Sequence, residues 1–284
     1  MDKAIMFGLL SALLYGVTDF VAKFTNKANG VLPTMLWGQG ALASGLTIAV
    51  MASGQIRDAS ASLWGITLVS CLAVVAGTGC LYYGLAKGRL TIVSPLMASY
   101  GAVSALLSVA AGEKMTIATV MGLGLAITGA ILSATSAKAL ASGKTSGWLP
   151  ATGAALLYGI GFWLQGKYSL PTFGPLVTLW IYYMTATLAV AFVCLVHSKS
   201  IVLHGIKNIG LVLGTALLAG SGYAALAIGQ SAGEIAIPTA LSSASTAITI
   251  MLAFAFLKEK PGLRGWLGIC GVVAGVAILH LTSG

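Results

Sequence analysis

Ten stretches of about 20 apolar residues, almost free of charge, constrain this chain more than any other feature. A helix that crosses a bilayer needs roughly 20 such residues. The stretches are called runs 1–10 and lie near residues 4–24, 33–53, 63–86, 91–111, 117–135, 148–165, 174–196, 207–230, 234–257 and 263–281. We therefore predict an all-α integral membrane protein with ten transmembrane helices.

The charged residues support this prediction by their scarcity and their positions. Only 7% of the residues are charged, whereas soluble domains have about 25%. The net charge is +9, but the bases lie in the short gaps between runs, which favours a membrane partner over a nucleic acid. All four cysteines lie within runs and show no metal-binding spacing. We expect no metal site and no cofactor.

The two halves of the chain repeat one pattern. The letters LLYG occur at 13–16 and again at 156–159, and GEK at 112–114 corresponds to KEK at 258–260. Three aromatic pairs recur at offsets of 141 to 143 residues: Tyr15 with Tyr158, Trp37 with Trp180, and Tyr82 with Tyr223. Such ordered matches indicate a duplication, with five runs in each copy.

This duplication defines the predicted domains. The first five-helix repeat spans residues 1–137, a Ser-, Thr- and Gly-rich linker spans 138–147, and the second repeat spans 148–284. Because five is odd, the second copy enters the membrane inverted relative to the first. Inverted repeats are common in transporters, whose substrate site lies between the repeats near the membrane midplane.

The closing segment of each half carries a family resemblance. The segments read GEKMTIATVMGLGLAITGAIL and KEKPGLRGWLGICGVVAGVAIL, and the chain opens with GLLSALLYGVTDFVAKF. This pattern resembles the ten-helix EamA-like members of the drug/metabolite transporter superfamily. The resemblance implies transport of amino acids, sugars, nucleotide-linked solutes, amines or drugs. It also implies that runs 5 and 10 are peripheral, while the other eight runs line the cavity.

We expect a secondary active transporter that exports a small metabolite, such as an amino acid, an amine or a drug-like solute, by alternating access. The alternatives are a channel, a subunit that flips a lipid or metabolite without ion coupling, and a membrane enzyme. The H-E-x-x-H, G-x-S-x-G and P-loop motifs are absent from the sequence, so we predict that the chain is not an enzyme.

Paired aromatic side chains are the first candidates for substrate binding. They are Tyr15, Trp37, Tyr82, Tyr158, Trp180 and Tyr223. The tyrosines of the two LLYG segments lie mid-helix, where a hydroxyl needs a partner. The alternative is that Trp and Tyr anchor the helices at the membrane interface.

Two prolines and the polar residues that follow them form a second set of candidates. Pro95 and Pro238, near the starts of runs 4 and 9, are candidate hinges, although proline is also common in the first turn of an ordinary helix. The candidate binding residues that follow them are Ser99, Tyr100, Ser242 and Ser243. Their hydroxyls could equally bond to their own helix or serve close helix packing.

Among the acidic residues, Asp19 is the candidate coupling residue. A carboxylate within a membrane-spanning helix is costly and therefore often functional. The alternative is an ion pair with Lys23, one helical turn away. For Glu234, the Ser-x-x-Glu spacing from Ser231 favours a capping box before run 9.

The expected partners are a small-molecule substrate, the lipid bilayer and, as a candidate coupling ion, the proton. We expect no nucleic acid partner and a monomeric protein in a cell membrane, the cytoplasmic membrane if the source is bacterial. Four bases lie on the side of the termini: Lys3, Arg57, Lys114 and Lys167. Eleven lie on the other side, so the positive-inside rule places the termini outside, whereas the family resemblance places them inside. The sequence leaves these alternatives open.

Overall fold

The computed structural model describes residues 3–55, 58–113, 116–134, 147–198, 201–203, 205–232, 235–258 and 262–282. Within these ranges the protein is helical and contains no strand. The helices of the first half are α1 (Lys3–Asn29), α2 (Val31–Ser53), α3 (Ala61–Lys87), α4 (Leu90–Ala98), α5 (Tyr100–Ala110) and α6 (Ile117–Ala134). Those of the second half are α7 (Trp148–Leu164), α8 (Leu170–Val196), α9 (Ile206–Gln230), α10 (Ala236–Ser243), α11 (Ser245–Leu257) and α12 (Leu263–Thr282). A π-helical turn, Gln165–Ser169, joins α7 to α8.

Every predicted run coincides with helix. By length and composition, six helical stretches within the described ranges could cross a membrane, and the longest, Trp148–Val196, contains runs 6 and 7. Two shorter apolar helices, Leu96–Ala110 and Val120–Gly129, lie in runs 4 and 5. The all-helical membrane class is therefore supported, whereas the count of ten spans and the inversion stay predictions. The predicted linker lies, apart from Gly147, outside the described residues.

The helix surfaces suit lipid. Large apolar side chains such as Ile48, Leu106, Ile117 and Leu195 are exposed, which is costly in water and favourable in a bilayer. Most of the buried polar side chains are Ser, Thr, Gln or Asn. The protein thus exposes large apolar side chains on its outer surface and encloses uncharged polar groups within its apolar core.

Several main helix contacts correspond when the two halves are exchanged. Helix α1 packs against α9, and its counterpart α7 packs against α3. Likewise, α1 contacts α10 and α11, while α7 contacts α4 and α5. Two further pairs, α2 with α8 and α6 with α12, are their own counterparts. This packing supports the duplication read from the sequence.

Three helices are interrupted within or between the predicted runs. At Gly174 the backbone leaves the helical region (φ 71°, ψ 171°) just before Pro175, and this break separates run 6 from run 7. Runs 4 and 9 break at Ser99 and Ala244, whose N–H groups bond three residues back to Leu96 and Leu241. The two breaks therefore have the same hydrogen bonding in both halves.

Glycine allows the closest helix contacts. A Cβ on Gly159 of α7 would lie 2.4 Å from Val103 Cβ and 3.0 Å from the Tyr100 carbonyl oxygen in α5. Small residues at such contacts let helix backbones approach closely in membranes. By contrast, nothing lies within 4 Å of a Cβ built on Gly45, in the middle of α2.

Replacing these two glycines should have opposite effects on stability. Gly159→Ala overpacks the contact with Val103, and we expect it to reduce the free energy of unfolding by about 1–3 kcal/mol. Gly45→Ala fills open space in a helix and should be neutral or stabilising by up to about 1 kcal/mol. Thermal unfolding of the purified variants in detergent measures both. Equal midpoints for the two variants would contradict this packing.

Candidate solute-binding site

A cavity lies at the centre of the helices, between α1, α2 and α3 of the first half and α7, α8 and α9 of the second. The cavity volume is about 60 Å³, within about 620 Å³ of empty space that includes the open surroundings. The aromatic lining residues are Tyr15, Tyr82, Tyr158, Phe162, Tyr182, Tyr183 and Tyr223. Its other side chains are mostly small or aliphatic, with Asp19 and Gln39 as the exceptions.

The second half supplies a continuous aromatic wall. Tyr158 and Phe162 of α7 stack with ring centroids 5.1 Å apart. Phe162 lies 5.4 Å from Tyr223 of α9, which lies 4.9 Å from Tyr182 of α8 in an edge-to-face contact. Such a wall offers ring faces to a flat or cationic solute.

Hydrogen bonds inside the protein fix the ring positions. Tyr158 donates its hydroxyl hydrogen to Thr78 Oγ1 at 3.0 Å, and the Tyr182 hydroxyl lies 3.2 Å from the same atom. The Tyr223 hydroxyl donates to Gln165 Oε1, in the π-helical turn. With their hydroxyls held, these rings present fixed surfaces to the cavity.

Asp19 is the lone carboxylate among the described lining residues. It is 2% exposed, and its Oδ2 has no hydrogen-bond partner among the described residues. Lys23 donates its ammonium hydrogen to the Gly88 carbonyl at 2.7 Å. Within the described ranges no ion pair joins Asp19 to Lys23, so the paired alternative is not formed. A buried, unpaired carboxylate is strongly unfavourable unless it binds a proton or a cation.

Gln39, in α2, is a second unpartnered polar group in the same cavity. The residue is 6% exposed, and its Oε1 has no hydrogen-bond partner among the described residues. An unsatisfied buried acceptor costs about 1–3 kcal/mol. A ligand that donates hydrogen bonds to this oxygen would remove that cost. Neither Lys nor Arg is found among the described residues that line the cavity.

The structure brings together five of the eleven predicted binding and coupling residues. Tyr15, Asp19, Tyr82, Tyr158 and Tyr223 all line the cavity. The two tryptophans lie elsewhere. Trp37 is 48% exposed, and its Nε1 donates to the Ile201 carbonyl, whereas Trp180 donates to Thr47 Oγ1 between α8 and α2.

The predicted residues of runs 4 and 9 lie behind the cavity wall instead of within the lining. Tyr100 donates its hydroxyl hydrogen to Ser242 Oγ at 2.9 Å, and Ser11 Oγ lies 2.8 Å from the same atom. Ser243 bonds back to the Ala240 carbonyl, and Ser99 forms the break between α4 and α5. These bonds join α1, α5 and α10 and use the hydroxyls that we expected to meet a solute.

The candidate hinges sit within the interrupted helices. Pro238 occupies the first turn of α10, and Pro95 lies further inside α4. In both halves the helix break follows the proline, at Ala244 and at Ser99. A hinge role for these prolines stays a prediction.

A side chain of the first half caps the start of α10, and the capping role expected for Glu234 stays a prediction. Glu113 Oε1, between α5 and α6, accepts hydrogen bonds from Ile235 N and Ala236 N at 3.3 and 3.5 Å. Ser231 donates to the Ala227 carbonyl and so completes α9. Glu234 lies outside the described residues. A carboxylate of the first half thus caps a helix of the second half.

Within the described ranges, no group of three His, Cys, Asp or Glu side chains gathers to hold a metal ion. The four free cysteines are separate from one another. The chemistry that the cavity offers is therefore that of one carboxylate, one amide and several aromatic rings.

Comparison with known proteins decides the family. The model of the EamA-like transporter family matches residues 2–135 and again 145–281. The chain belongs to the EamA-like transporter family. The resemblance noted in the sequence is confirmed, and the double match agrees with two repeats. The chain is thus a multi-pass membrane protein of a transporter family, and the family is not one of enzymes.

Two known proteins are similar to this chain, one in sequence and one in fold. An uncharacterised protein of Methanocaldococcus jannaschii is 32% identical over 133 residues, which are 46% of this chain and 96% of the relative. That relative is about as long as one EamA-like repeat. One solved crystal structure of a protein has a TM-score of 0.74 at 17% identity, and the match covers 98% of this chain and 96% of that one. The latter likeness shows a shared fold.

The lining residues that sequence reasoning missed in this EamA-like chain include one amide and three aromatic side chains: Gln39, Phe162, Tyr182 and Tyr183. Phe162 lies at the repeat offset of 143 residues from Asp19. Gln39 had a usable signal, because an amide in the middle of a membrane-spanning run needs a partner. The two tyrosines lie among several apolar aromatics of run 7, and nothing in their spacing distinguishes them.

Accessibility to a thiol reagent tests the cavity directly. In a variant whose native cysteines are replaced, Ala219→Cys should react quickly with a small water-soluble methanethiosulfonate, because Ala219 lines the cavity. Ala253→Cys is the control, since Ala253 is fully buried in the core. Labelling rates are followed by mass spectrometry. Equal rates at both positions would argue against a water-accessible cavity here.

Proposed function

We propose that this protein is a secondary active transporter that exports a small organic solute by alternating access. The solute is an amine, an amino acid or a drug-like compound with no more than one net positive charge. The observation that supports this proposal is the central cavity, where one unpaired carboxylate, Asp19, faces an aromatic wall.

The charges of the cavity favour a singly charged cation. A desolvated aromatic face contributes up to about 2 kcal/mol to the binding of a cation, and the carboxylate adds an opposite charge. Asp19 would repel multiply anionic solutes such as sugar phosphates, and the described lining residues include no Lys or Arg to bind their negative charges. We expect them to bind poorly.

The position of the cavity along the helices supports alternating access. The lining includes Thr34 near the start of α2 and Val212 in the first half of α9, so the cavity is nearest to the end where α2 and α9 begin. Towards the opposite end, Tyr100, Ser242 and the Glu113 cap hold the halves together. Transport would require these contacts to open while the first end closes.

The distribution of bases supports export. The end nearest to the cavity, called here the basic end, is where eleven of the fifteen Lys and Arg residues lie. The positive-inside rule assigns such an end to the cytoplasm. In the conformation described, a cytoplasmic solute would therefore reach the cavity first.

A second candidate function is the movement of an amphiphile out of the bilayer. An apolar groove on the outer surface runs between α2, α8 and α9, from Ile201 to Ile48. Val212 lines both this groove and the central cavity. A flipping activity would give transport that depends on bilayer solubility of the solute and shows no counter-flow.

Replacement of Asp19 tests the proposed coupling. In vesicles with a pH gradient, Asp19→Asn should reduce gradient-driven uptake of an organic cation at least about tenfold, as expected for the loss of a bond to a charged group. Asp58→Asn is the matched control, since Asp58 lies in the connection between α2 and α3. If uptake by the Asp19 variant equals that of the control, Asp19 is not the coupling residue.

Reporter fusions test the orientation. Fusions at both termini should report the non-cytoplasmic side, and a reporter inserted between residues 138 and 147 should report the cytoplasm. Alkaline phosphatase and green fluorescent protein distinguish the two sides. Termini on opposite sides would contradict ten spans, whereas two cytoplasmic termini would reverse the assignment of the basic end.

A further inference from the structure

Two buried oxygens without partners lie in one cavity, and both are hydrogen-bond acceptors. They are Asp19 Oδ2 from α1 and Gln39 Oε1 from α2. Most other polar side chains in these helices find partners, for example Thr18, which donates to the Leu14 carbonyl at 2.7 Å. Among the described residues, Asn26 of α1 also has unpaired polar atoms but does not line the cavity. Asp19 and Gln39 are therefore the two that are positioned for a ligand that donates hydrogen bonds.

The counterparts of these two residues in the second half have different chemistry. At the offset of 143 residues, Asp19 corresponds to Phe162 and Gln39 to Tyr182. All four residues line the cavity. The first half thus supplies acceptors, and the second half supplies ring surfaces, so a bound solute has a polar end and an apolar end.

We propose that Asp19 and Gln39 form a subsite for the ammonium group of a primary amine, whose apolar body lies against Phe162, Tyr182 and Tyr223. This assignment rests on the proposed transport function and names its substrate class. A primary ammonium group has three N–H donors and one positive charge. It can therefore satisfy both acceptors and neutralise the carboxylate at once.

Other solutes of similar size fit this subsite less well. A quaternary ammonium carries the charge but no N–H donor, so it leaves Gln39 Oε1 unpaired. Sites built to hydrogen-bond a group discriminate strongly against analogues that lack it. An amino acid brings a carboxylate that Asp19 repels, and the described lining residues include no Lys or Arg to receive it.

The first experiment compares three ligands on the purified full-length protein. The ligands are 2-phenylethylamine, its N,N,N-trimethyl analogue and phenylalanine, and binding is measured by calorimetry and thermal shift. We expect the primary amine to bind at least about tenfold more tightly than the other two, in line with a hydrogen bond to a charged group. Equal affinity for the primary and quaternary amines, or tighter binding of phenylalanine, overturns the proposal.

Variants of Gln39 then test the second acceptor. Gln39→Leu should remove the preference for the primary over the quaternary amine, whereas Gln39→Glu, which keeps acceptor oxygens, should retain it. Gln230→Leu is the control for loss of a buried amide. Gln230 bonds to the Phe162 carbonyl and to Thr239 and does not line the cavity. This control should lower stability but leave the affinity ratio unchanged.

The outcomes separate this proposal from the proposed function. If Gln39→Leu keeps the preference, Gln39 is not part of the subsite. If the protein transports another solute saturably and shows no amine preference, the subsite is wrong and the transport function stands. If the amines bind as expected but vesicles show no saturable flux of any solute, the transport function is wrong. If Gln39→Leu does not fold, the comparison of the three ligands on the unchanged protein still tests the proposed subsite.

Discussion

The lack of water inside a bilayer is the constraint on which this structure depends. Each polar group within the hydrocarbon region has to find its partner in the protein. Helices satisfy the backbone, and threonines such as Thr25, Thr78 and Thr215 bond back to carbonyls one turn earlier. Among the described residues with buried, unpaired polar atoms, Asp19 and Gln39 are the two that line the cavity. The same constraint that builds the helices therefore points to the candidate binding site.

The membrane class and the helix positions were predictable, because a run of about 20 apolar residues has few alternatives. The duplication was also readable, and four of its paired tyrosines, Tyr15, Tyr158, Tyr82 and Tyr223, line one cavity. Whether a given residue faces the lipid or the interior of the protein was less predictable. Trp37 recurs with Trp180 at the repeat offset, yet Trp37 lies on the outer surface. Apolar composition is similar on the lipid side and the inner side of such helices, so periodicity does not separate the two.

The two halves share their packing but not their chemistry. Helix pairs correspond after exchange of the halves, whereas the polar residues Asp19 and Gln39 have the aromatic counterparts Phe162 and Tyr182. Packing requires only that small residues such as Gly16 and Gly159 stay where backbones meet. Residues that line the cavity do not have to meet this packing requirement, so they can differ between the two repeats. The relative from Methanocaldococcus jannaschii has about the length of one repeat, and its match covers 46% of this chain.

The position of Phe162 sets the charge stoichiometry of the cavity. If the two repeats were identical, a second carboxylate would take the place of Phe162 in the cavity. The repulsion between the two carboxylates would favour a divalent cation or a proton shared between them. Here an aromatic ring replaces the second carboxylate, so the described lining compensates a single positive charge. An exchange of one monovalent ammonium for one proton would then be electroneutral. Such a carrier would respond to the pH difference across the membrane and not to its voltage.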